Sequence, residues 1–256
     1  MNSDAAESPG FREQMREARR TLSVDGPLVV LSGAGMSAES GVPTFRDAQT
    51  GLWAHADPAD LATPEAWQRD RARVWAWYRW REHLISESRP NPGHLAIAHA
   101  QQLRDVVVVT QNVDDLHERA GSEPVHHVHG SLFAHRCDTC GAPMDPGPPP
   151  TDPVDALSPP ACTQGDGWAR PGVVWFGETL PAAPWDAAVA AVTSAAAVLV
   201  VGTSGLVYPA ASLPGMAAAS GTPVVEVNPG QSGPGITASV HLRAPAGQVL
   251  PELLTL

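Results

Sequence analysis

Apolar residues in this chain gather into short uninterrupted runs: PLVVLS at 27–32, VVVVT at 106–110, AVLVV at 197–201 and PVVEVN at 223–228. Runs of that length bounded by turn-forming residues are what strands buried on both faces look like. The segments between them carry helical patterns. The reading is therefore an α/β fold whose mostly parallel sheet is covered on both faces. FREQMREARRTL at 11–22 predicts an amphipathic opening helix, and AAVAAVTSAAAVLVVG an alanine-rich helix running into the strand at 197–201. Residues 136–170 break this rhythm, because prolines at 143, 146, 148, 149, 150, 153, 159 and 160 exclude helix or central strand. That stretch predicts a small irregular module inserted in the main domain.

RVWAWYRWREHL at 73–84 has the pattern of a packing helix with a charge out of place. At about 100° per residue, Val74, Tyr78, Arg81 and Ile85 share one face, while Arg79 and His83 point away. A cation inside an apolar stripe either snorkels to water or meets an anion.

A chain of 256 residues can bury its core as one large domain, or as one domain with a smaller appendage. A net charge of −11 argues against nonspecific nucleic-acid binding and leaves basic peptides open as partners. All 16 basic residues are arginine. A GC-rich genome explains that, along with the Ala, Pro and Gly excess; an enzyme acting on lysine that cannot modify itself is the other reading. MNSDAAESPG has no apolar core of the kind a signal peptide needs. The most apolar segment is interrupted by Thr193 and Ser194 and is short for a membrane span. The expectation is a cytoplasmic protein without membrane contact, its three cysteines being free thiols or metal ligands.

Chemistry enters at VVLSGAGMSAESGVPTFRD, residues 29–47. Gly33, Gly35 and Ala38 match a G-x-G-x-x-G/A turn between a strand and a helix, with backbone amides and the helix dipole facing a pyrophosphate. An ordinary glycine-rich turn would look the same. No acidic residue is evident about twenty positions on, so the common dehydrogenase layout does not fit. Gln111, Asn112 and Asp114 directly follow an apolar strand, where α/β folds hold ligands. The same Asn-Asp loop could instead cap the next helix through Asp114 or Asp115.

In order, GAGMSAESGVPTFRD, TQNVDDLHERAG, HVHGSLF, RPGVVWFGE, VGTSGLVYPA and VVEVN resemble the sirtuin (Sir2) family of NAD-dependent protein-lysine deacylases, over roughly residues 27–253. The resemblance implies one catalytic domain over 1–256. Its Rossmann-like large part would span about 11–50, 92–134 and 171–256. Its small domain, part helical and part zinc-ribbon-like, would span about 51–91 and 135–170. NAD and the acyl-lysine would lie in the cleft between.

By resemblance, NAD contacts fall to Gly33, Ala34, Gly35, Ser37, Ala38, Glu39, Thr44, Phe45, Arg46 and Trp53, then to Gln111, Asn112, Val113 and Asp114. Gly202, Thr203, Ser204, Asn228, Pro229, Gly230 and Ala246 would hold the adenosine end. Phe45 and Arg46 would cover the nicotinamide ribose and exclude water, which otherwise wastes NAD. Asn112 and Asp114 would orient the carboxamide and ribose. His129, in HGS, would be the general base, freeing a ribose hydroxyl after the acyl oxygen has attacked the ribose carbon. Val173, Val174, Trp175, Phe176, Gly177 and Glu178 resemble the segment to which a substrate peptide adds as a strand. The products would be free lysine, nicotinamide and O-acyl-ADP-ribose, and the partners acylated-lysine proteins acted on by a monomer.

Two features are this chain's own. The family usually closes a zinc tetrahedron with two C-x-x-C pairs. Here Cys137, Cys140 and Cys162 remain, and Gly165 stands about where the fourth cysteine belongs, beside Asp166. One zinc held by three thiolates plus Asp166, another group or water is one reading; a partly empty site and loss of the metal are the others. The second feature is Tyr78-Arg79-Trp80-Arg81, matching the Tyr-x-x-Arg of a subgroup that favours succinyl, malonyl and glutaryl lysine. An i, i+3 spacing puts Tyr78 and Arg81 on one face, able to grip a carboxylate, with small Ala62 leaving room for a longer acyl chain. The expected activity is NAD-dependent desuccinylation and demalonylation with deacetylation retained. A broad deacetylase, an NAD hydrolase or ADP-ribosyltransferase, and a non-enzymatic binding module are the alternatives.

Overall fold

The computed structural model describes residues 8–42 and 61–255. Its strands are β1 (Leu28–Ser32), β2 (Val106–Thr110), β3 (Val125–His127), β4 (Gly130–Cys137), β5 (Ala169–Val173), β6 (Ala197–Val201), β7 (Val224–Val227) and β8 (Val240–Leu242). Six of them form one sheet in the order β3-β2-β1-β6-β7-β8. Every pairing in it is parallel. The strand order reverses at β1, so the crevice at the carboxyl ends of β1 and β6 is where such a fold receives a ligand.

Both faces of that sheet are covered. Leu28 and Val30 pack with the helices Pro9–Leu22, Pro92–Leu103 and Ala246–Leu253, while Val29 and Leu31 pack with Ala182–Ser194 and Leu213–Ala219. This is why β1 and β6 are buried at every position and read as unbroken apolar runs. The helix before β6 buries Ala188 and Val192 against the sheet, with Trp185 and Val189 packed half buried beside them.

A third cluster belongs to the helices Pro64–Arg69 and Arg71–Glu87, with β4 and β5 packed on them antiparallel. Thr63 caps the first helix through the Ala66 amide, and Asp70 caps the second through the Arg73 amide. Residues 138–168 between β4 and β5 hold no helix or ladder strand, as their prolines predict.

The helix Arg71–Glu87 corrects the one-faced reading of its sequence. Positions 74–79 are all buried, so the helix is enclosed rather than half exposed. Arg79 does not point to solvent. It is 2% exposed, donates to Glu82 at 2.9 Å and to the Gly147 carbonyl, and lies 5.4 Å from the Trp75 ring centre. His135 on β4 meets the same Glu82 oxygen at 3.1 Å. The proline-rich module thus covers the second face and is fastened to it by the hydrogen bond from Arg79 to the Gly147 carbonyl, with the Arg79–Glu82 ion pair of the helix buried beneath it. His83 stays half buried and stacks on Trp80.

Breaking that pair from one side strands a buried cation. Glu82→Gln is expected to cost on the order of 3 kcal/mol in denaturant unfolding; an unchanged midpoint would show that the ion pair contributes nothing to stability.

Candidate active site and metal centre

The turn after β1 is shaped by the turn after β6. Gly33 and Gly35 donate to the carbonyls of Val201 and Gly202 at 2.9 and 2.8 Å. A Cβ on Gly33 would lie 2.8 Å from the Thr203 Cα, and one on Gly35 equally close to the Gly202 Cα. These glycines are therefore required by contact between two backbones, a need distinct from room for a phosphate. The segment after them also differs from expectation: Ala34–Met36 and Ala38–Ser40 are single 3₁₀ turns, not the start of an α-helix. Single turns of this length give an anion local amides and little dipole.

Side chains at the carboxyl ends of β1, β2 and β6 form two neighbouring hydrogen-bonded groups. The Asn112 amide donates to the Ser37 hydroxyl at 3.0 Å, and Ser37 donates to Asp114 at 2.8 Å. The other Asp114 oxygen accepts the Leu116 amide at 3.1 Å. Asp114 thus satisfies the first amide of the helix Leu116–Arg119, whose N-cap is Asp115, while its other oxygen joins Ser37. Burial pushes its carboxyl up, with the Ser37 and Leu116 hydrogen bonds opposing. Gln111 donates to Thr203 at 3.0 Å, and Asn228 donates to the Thr203 carbonyl at 2.8 Å. Glu39 accepts the Gly247 amide beside Ala246, whose side chain is buried. Ala34, Ala38, Val113, Ser204, Pro229 and Gly230 lie on these same turns. Thr44, Phe45, Arg46 and Trp53 fall outside the described residues.

Several supporting residues carried no obvious signal. Ser32 donates to Thr110 at 2.8 Å and meets His117 Nε2 at 2.9 Å; Thr110 in turn accepts the Asn112 amide at 3.0 Å. Asn91 donates to the Met36 carbonyl at 2.7 Å and to Ser40, pinning the first turn from the helix Pro92–Leu103. Asn-Pro ahead of a helix is a start signal that could have marked it.

Geometry separates the neighbouring histidines. His127 has both ring nitrogens engaged, with the Asn112 carbonyl at 2.9 Å and Glu118 at 2.6 Å. His129 faces the Gln111 carbonyl through Nδ1 at 3.1 Å. A carbonyl only accepts, so Nδ1 carries the hydrogen and Nε2 keeps its lone pair. Burial lowers the His129 pKa from its ordinary value, and the Gln111 carbonyl partly opposes this. The ring is therefore neutral near pH 7, as a base must be.

Val173–Glu178 lies directly beside His129, since the Val174 amide donates to the His129 carbonyl at 2.9 Å. The Trp175 amide goes to Glu178, the Phe176 amide to the Ala62 carbonyl and the Glu178 amide to the Trp175 carbonyl. With those donors spent, the stretch has mainly carbonyl oxygens to give an added strand. Glu178 also accepts both Arg170 Nη atoms, at 2.7 and 2.9 Å, so its carboxylate shapes the loop. Gly177 takes a positive φ of 86° to make the turn.

Tyr78 and Arg81 sit one turn apart on the enclosed helix. The Tyr78 oxygen accepts the Trp175 indole N–H at 3.0 Å, and no acceptor takes its own hydrogen among the described residues. Burial pushes the phenol well up, keeping it a donor. Arg81 lies 5.0 Å from the Trp77 ring centre and within electrostatic reach of Asp114. Its Nη1 is buried without a hydrogen-bond partner among the described residues. Burial lowers the Arg81 pKa from its ordinary value, with Tyr78 and Asp114 opposing.

The three cysteines converge, their sulfurs all within 4.8 Å of one another. Cys140 and Cys162 Sγ are 3.8 Å apart. That is the edge of a tetrahedron with zinc–sulfur bonds of about 2.3 Å. The amides of Cys140 and Thr139 draw the Cys137 thiol down to about 7, toward the thiolate a metal needs. The turns at Cys137 and Cys162 repeat one another: the amide two residues on donates to the first sulfur, at 3.4 and 3.3 Å. In that repeat Gly165 stands where Cys140 stands, and a Cβ on Gly165 would be 3.7 Å from Cys140 Sγ. Asp166 is exposed, and its carboxylate is not among the groups that converge with the three sulfurs. The residues fit zinc on three corners, with the fourth facing Gly165.

The Sir2 family pattern matches residues 33–209. The chain is 54% identical over 228 residues to the NAD-dependent protein deacylase Sir2 of Mycolicibacterium smegmatis, covering 89% of this chain and 95% of that protein. It is 44% identical to the NAD-dependent protein deacylase of Corynebacterium glutamicum, covering 94% and 93%. Among solved structures it is similar to a Sir2 homologue in complex with NAD, with a TM-score of 0.86 and 42% identity over 93% of this chain and 92% of that one. A Sir2 structure holding a deacetylated peptide and 3'-O-acetyl ADP-ribose gives a TM-score of 0.77 at 26% identity, covering 94% and 97%.

Metal retention tests the three-cornered site. Zinc measured during chelator competition should persist about tenfold longer in Gly165→Cys than in the wild type. Equal loss rates would mean that position 165 does not face the metal.

Proposed function

Because this chain belongs to the Sir2 family, we propose that it removes acyl groups from protein lysine at the expense of NAD, preferring acyl groups that end in a carboxylate. NAD supplies an activated ribose carbon when nicotinamide leaves. The chain's own residues then have separable tasks. Gly33, Gly35 and the Thr203–Asn228 pair shape the crevice for the dinucleotide. Asn112 and Asp114, braced through Ser37, orient its nicotinamide end. His129 Nε2 accepts the proton from a ribose hydroxyl, its tautomer set by the Gln111 carbonyl. The carbonyls of Val173–Glu178 receive the backbone of an extended peptide. Cys137, Cys140 and Cys162 hold a zinc ion with a structural task, since Thr139, Gln164 and the Cys140 amide already order its turns.

One observation carries the acyl preference: a buried arginine Nη1 without a partner beside a buried phenol whose hydrogen has no acceptor among the described residues. Unpaired buried donors are costly, and two of them side by side are explained by an anion that arrives with the substrate. Supporting the peptide reading, Phe176, Leu206 and Tyr208 leave large apolar surface exposed on the loops after β5 and β6. No helix among the described residues is long and apolar enough to cross a membrane.

Two measurements test this. With matched succinyl- and acetyl-lysine peptides, Arg81→Met should lower desuccinylation about 10- to 100-fold and deacetylation far less, as loss of a charge-assisted hydrogen bond requires. Equal losses would overturn the carboxylate preference. The pH profile of kcat/KM should fall on its acid side through a pKa below the ordinary histidine value of about 6.5, because burial favours neutral His129 and activity is lost only as the ring is protonated. That limb should vanish with the residual activity of His129→Ala; an acid limb centred above pH 7 would argue against His129 as the base.

A further inference from the structure

Tyr78 is held by a partner that can only donate. The indole N–H of Trp175 points at the phenol oxygen, 3.0 Å away, and both side chains are almost fully buried. A phenol hydrogen prefers the plane of its ring and so has two orientations, one to each side of the oxygen. A donor occupying one side leaves only the other. The hydrogen is therefore fixed before any ligand arrives, and an acceptor on the open side meets it without an ordering cost.

Trp175 is itself locked from several directions. Its amide donates to Glu178 Oε2 at 2.8 Å. The Arg170 guanidinium carbon lies 3.5 Å from its ring centre, and Arg170 is gripped in turn by both Glu178 oxygens and by the Val173 carbonyl. Trp67 packs against the same ring at 5.6 Å between centres. Such a clamp is more than an apolar ring needs for packing, since Arg170, a cation only 6% exposed, is committed to it. It fixes where the indole N–H points.

We propose that Trp175 is a positioning residue for acyl selection: its N–H turns the Tyr78 hydrogen toward the carboxylate that Arg81 receives. It touches neither the acyl group nor the reacting atoms, and acts through Tyr78 alone. This role rests on the preference for carboxylate-bearing acyl groups proposed for the site. An acetyl group offers no acceptor at that place, so its removal does not draw on the alignment. The Arg170–Glu178 pair then links the peptide loop to the acyl pocket, because the same carboxylate that shapes the loop also seats the tryptophan.

The test uses the full chain with NAD and matched succinyl- and acetyl-lysine peptides, and reads the ratio of their kcat/KM values. Both rates come from one preparation, so an inactive fraction cancels. Trp175→Phe keeps a ring but removes the donor, and should lower the succinyl-to-acetyl ratio about five- to tenfold, chiefly through the succinyl KM. Trp175→His, which keeps a ring N–H, should recover part of it. In a Tyr78→Phe background, adding Trp175→Phe should change the ratio by less than about twofold, because the hydroxyl it serves is gone. If Arg81→Met and Tyr78→Phe lower the ratio while Trp175→Phe leaves it unchanged, or lowers it equally in both backgrounds, the positioning role is overturned and the carboxylate reading stands. If Arg81→Met leaves the ratio unchanged, the carboxylate reading falls first.

Discussion

The turns after β1 and β6 are in backbone contact, and no side chain fits between them. Gly33 and Gly35 on one side meet Gly202 and Thr203 on the other, closer than a Cβ allows. Everything at the carboxyl edge of the sheet depends on that approach. It brings Thr203 within reach of Gln111 and Asn228, and leaves Ser37 facing Asn112 and Asp114. Substituting either glycine would not merely obstruct a ligand; it would part the two turns that define the crevice.

The second organising element is the enclosed helix Arg71–Glu87. Two of its arginines solve the same burial problem differently. Arg79 finds Glu82, the Gly147 carbonyl and Trp75, and so is satisfied within the fold. Arg81 finds Trp77 and a distant Asp114, and keeps one buried N–H unspent among the described residues. Two cations on one helix, similar in sequence context, are thus distinguished by what remains unpaired around them.

That distinction was only half legible in the sequence. Periodicity placed Tyr78 and Arg81 together but sent Arg79 to solvent, because a helical wheel assumes one wet face and the proline-rich module covers the second. The long apolar runs marked β1, β2, β6 and β7 to within a residue or so, since burial on both faces leaves no polar alternation to confuse them. β3 and β8 are three residues each, too short for a pattern to emerge from chance. At the site, the glycine spacing and the HGS motif were visible in the letters. The braces behind them, Asn91, Ser32, Thr110 and His117, are single polar residues whose importance comes from contacts across the chain. Cys137, Cys140 and Cys162 were legible as a cluster, whereas the matching of Gly165 to Cys140 in a repeated turn emerges only from the hydrogen bonds to the sulfurs.

The helix Arg71–Glu87 also ties two tasks to one rigid body. One flank meets the cysteine-bearing module and β4 through Arg79, which donates to the Gly147 carbonyl, and through Glu82, which meets His135, and the other presents Tyr78 and Arg81. The dinucleotide crevice draws its order from a sheet that needs neither. Local opening, which begins where regular structure is sparsest, would therefore start in the proline-rich module and reach Tyr78 and Arg81 before the crevice. Metal loss, oxidation of a thiol or mild heat would each blunt discrimination among acyl groups ahead of turnover itself. On the acyl preference proposed above, fidelity would be the perishable property, and catalysis would outlast it.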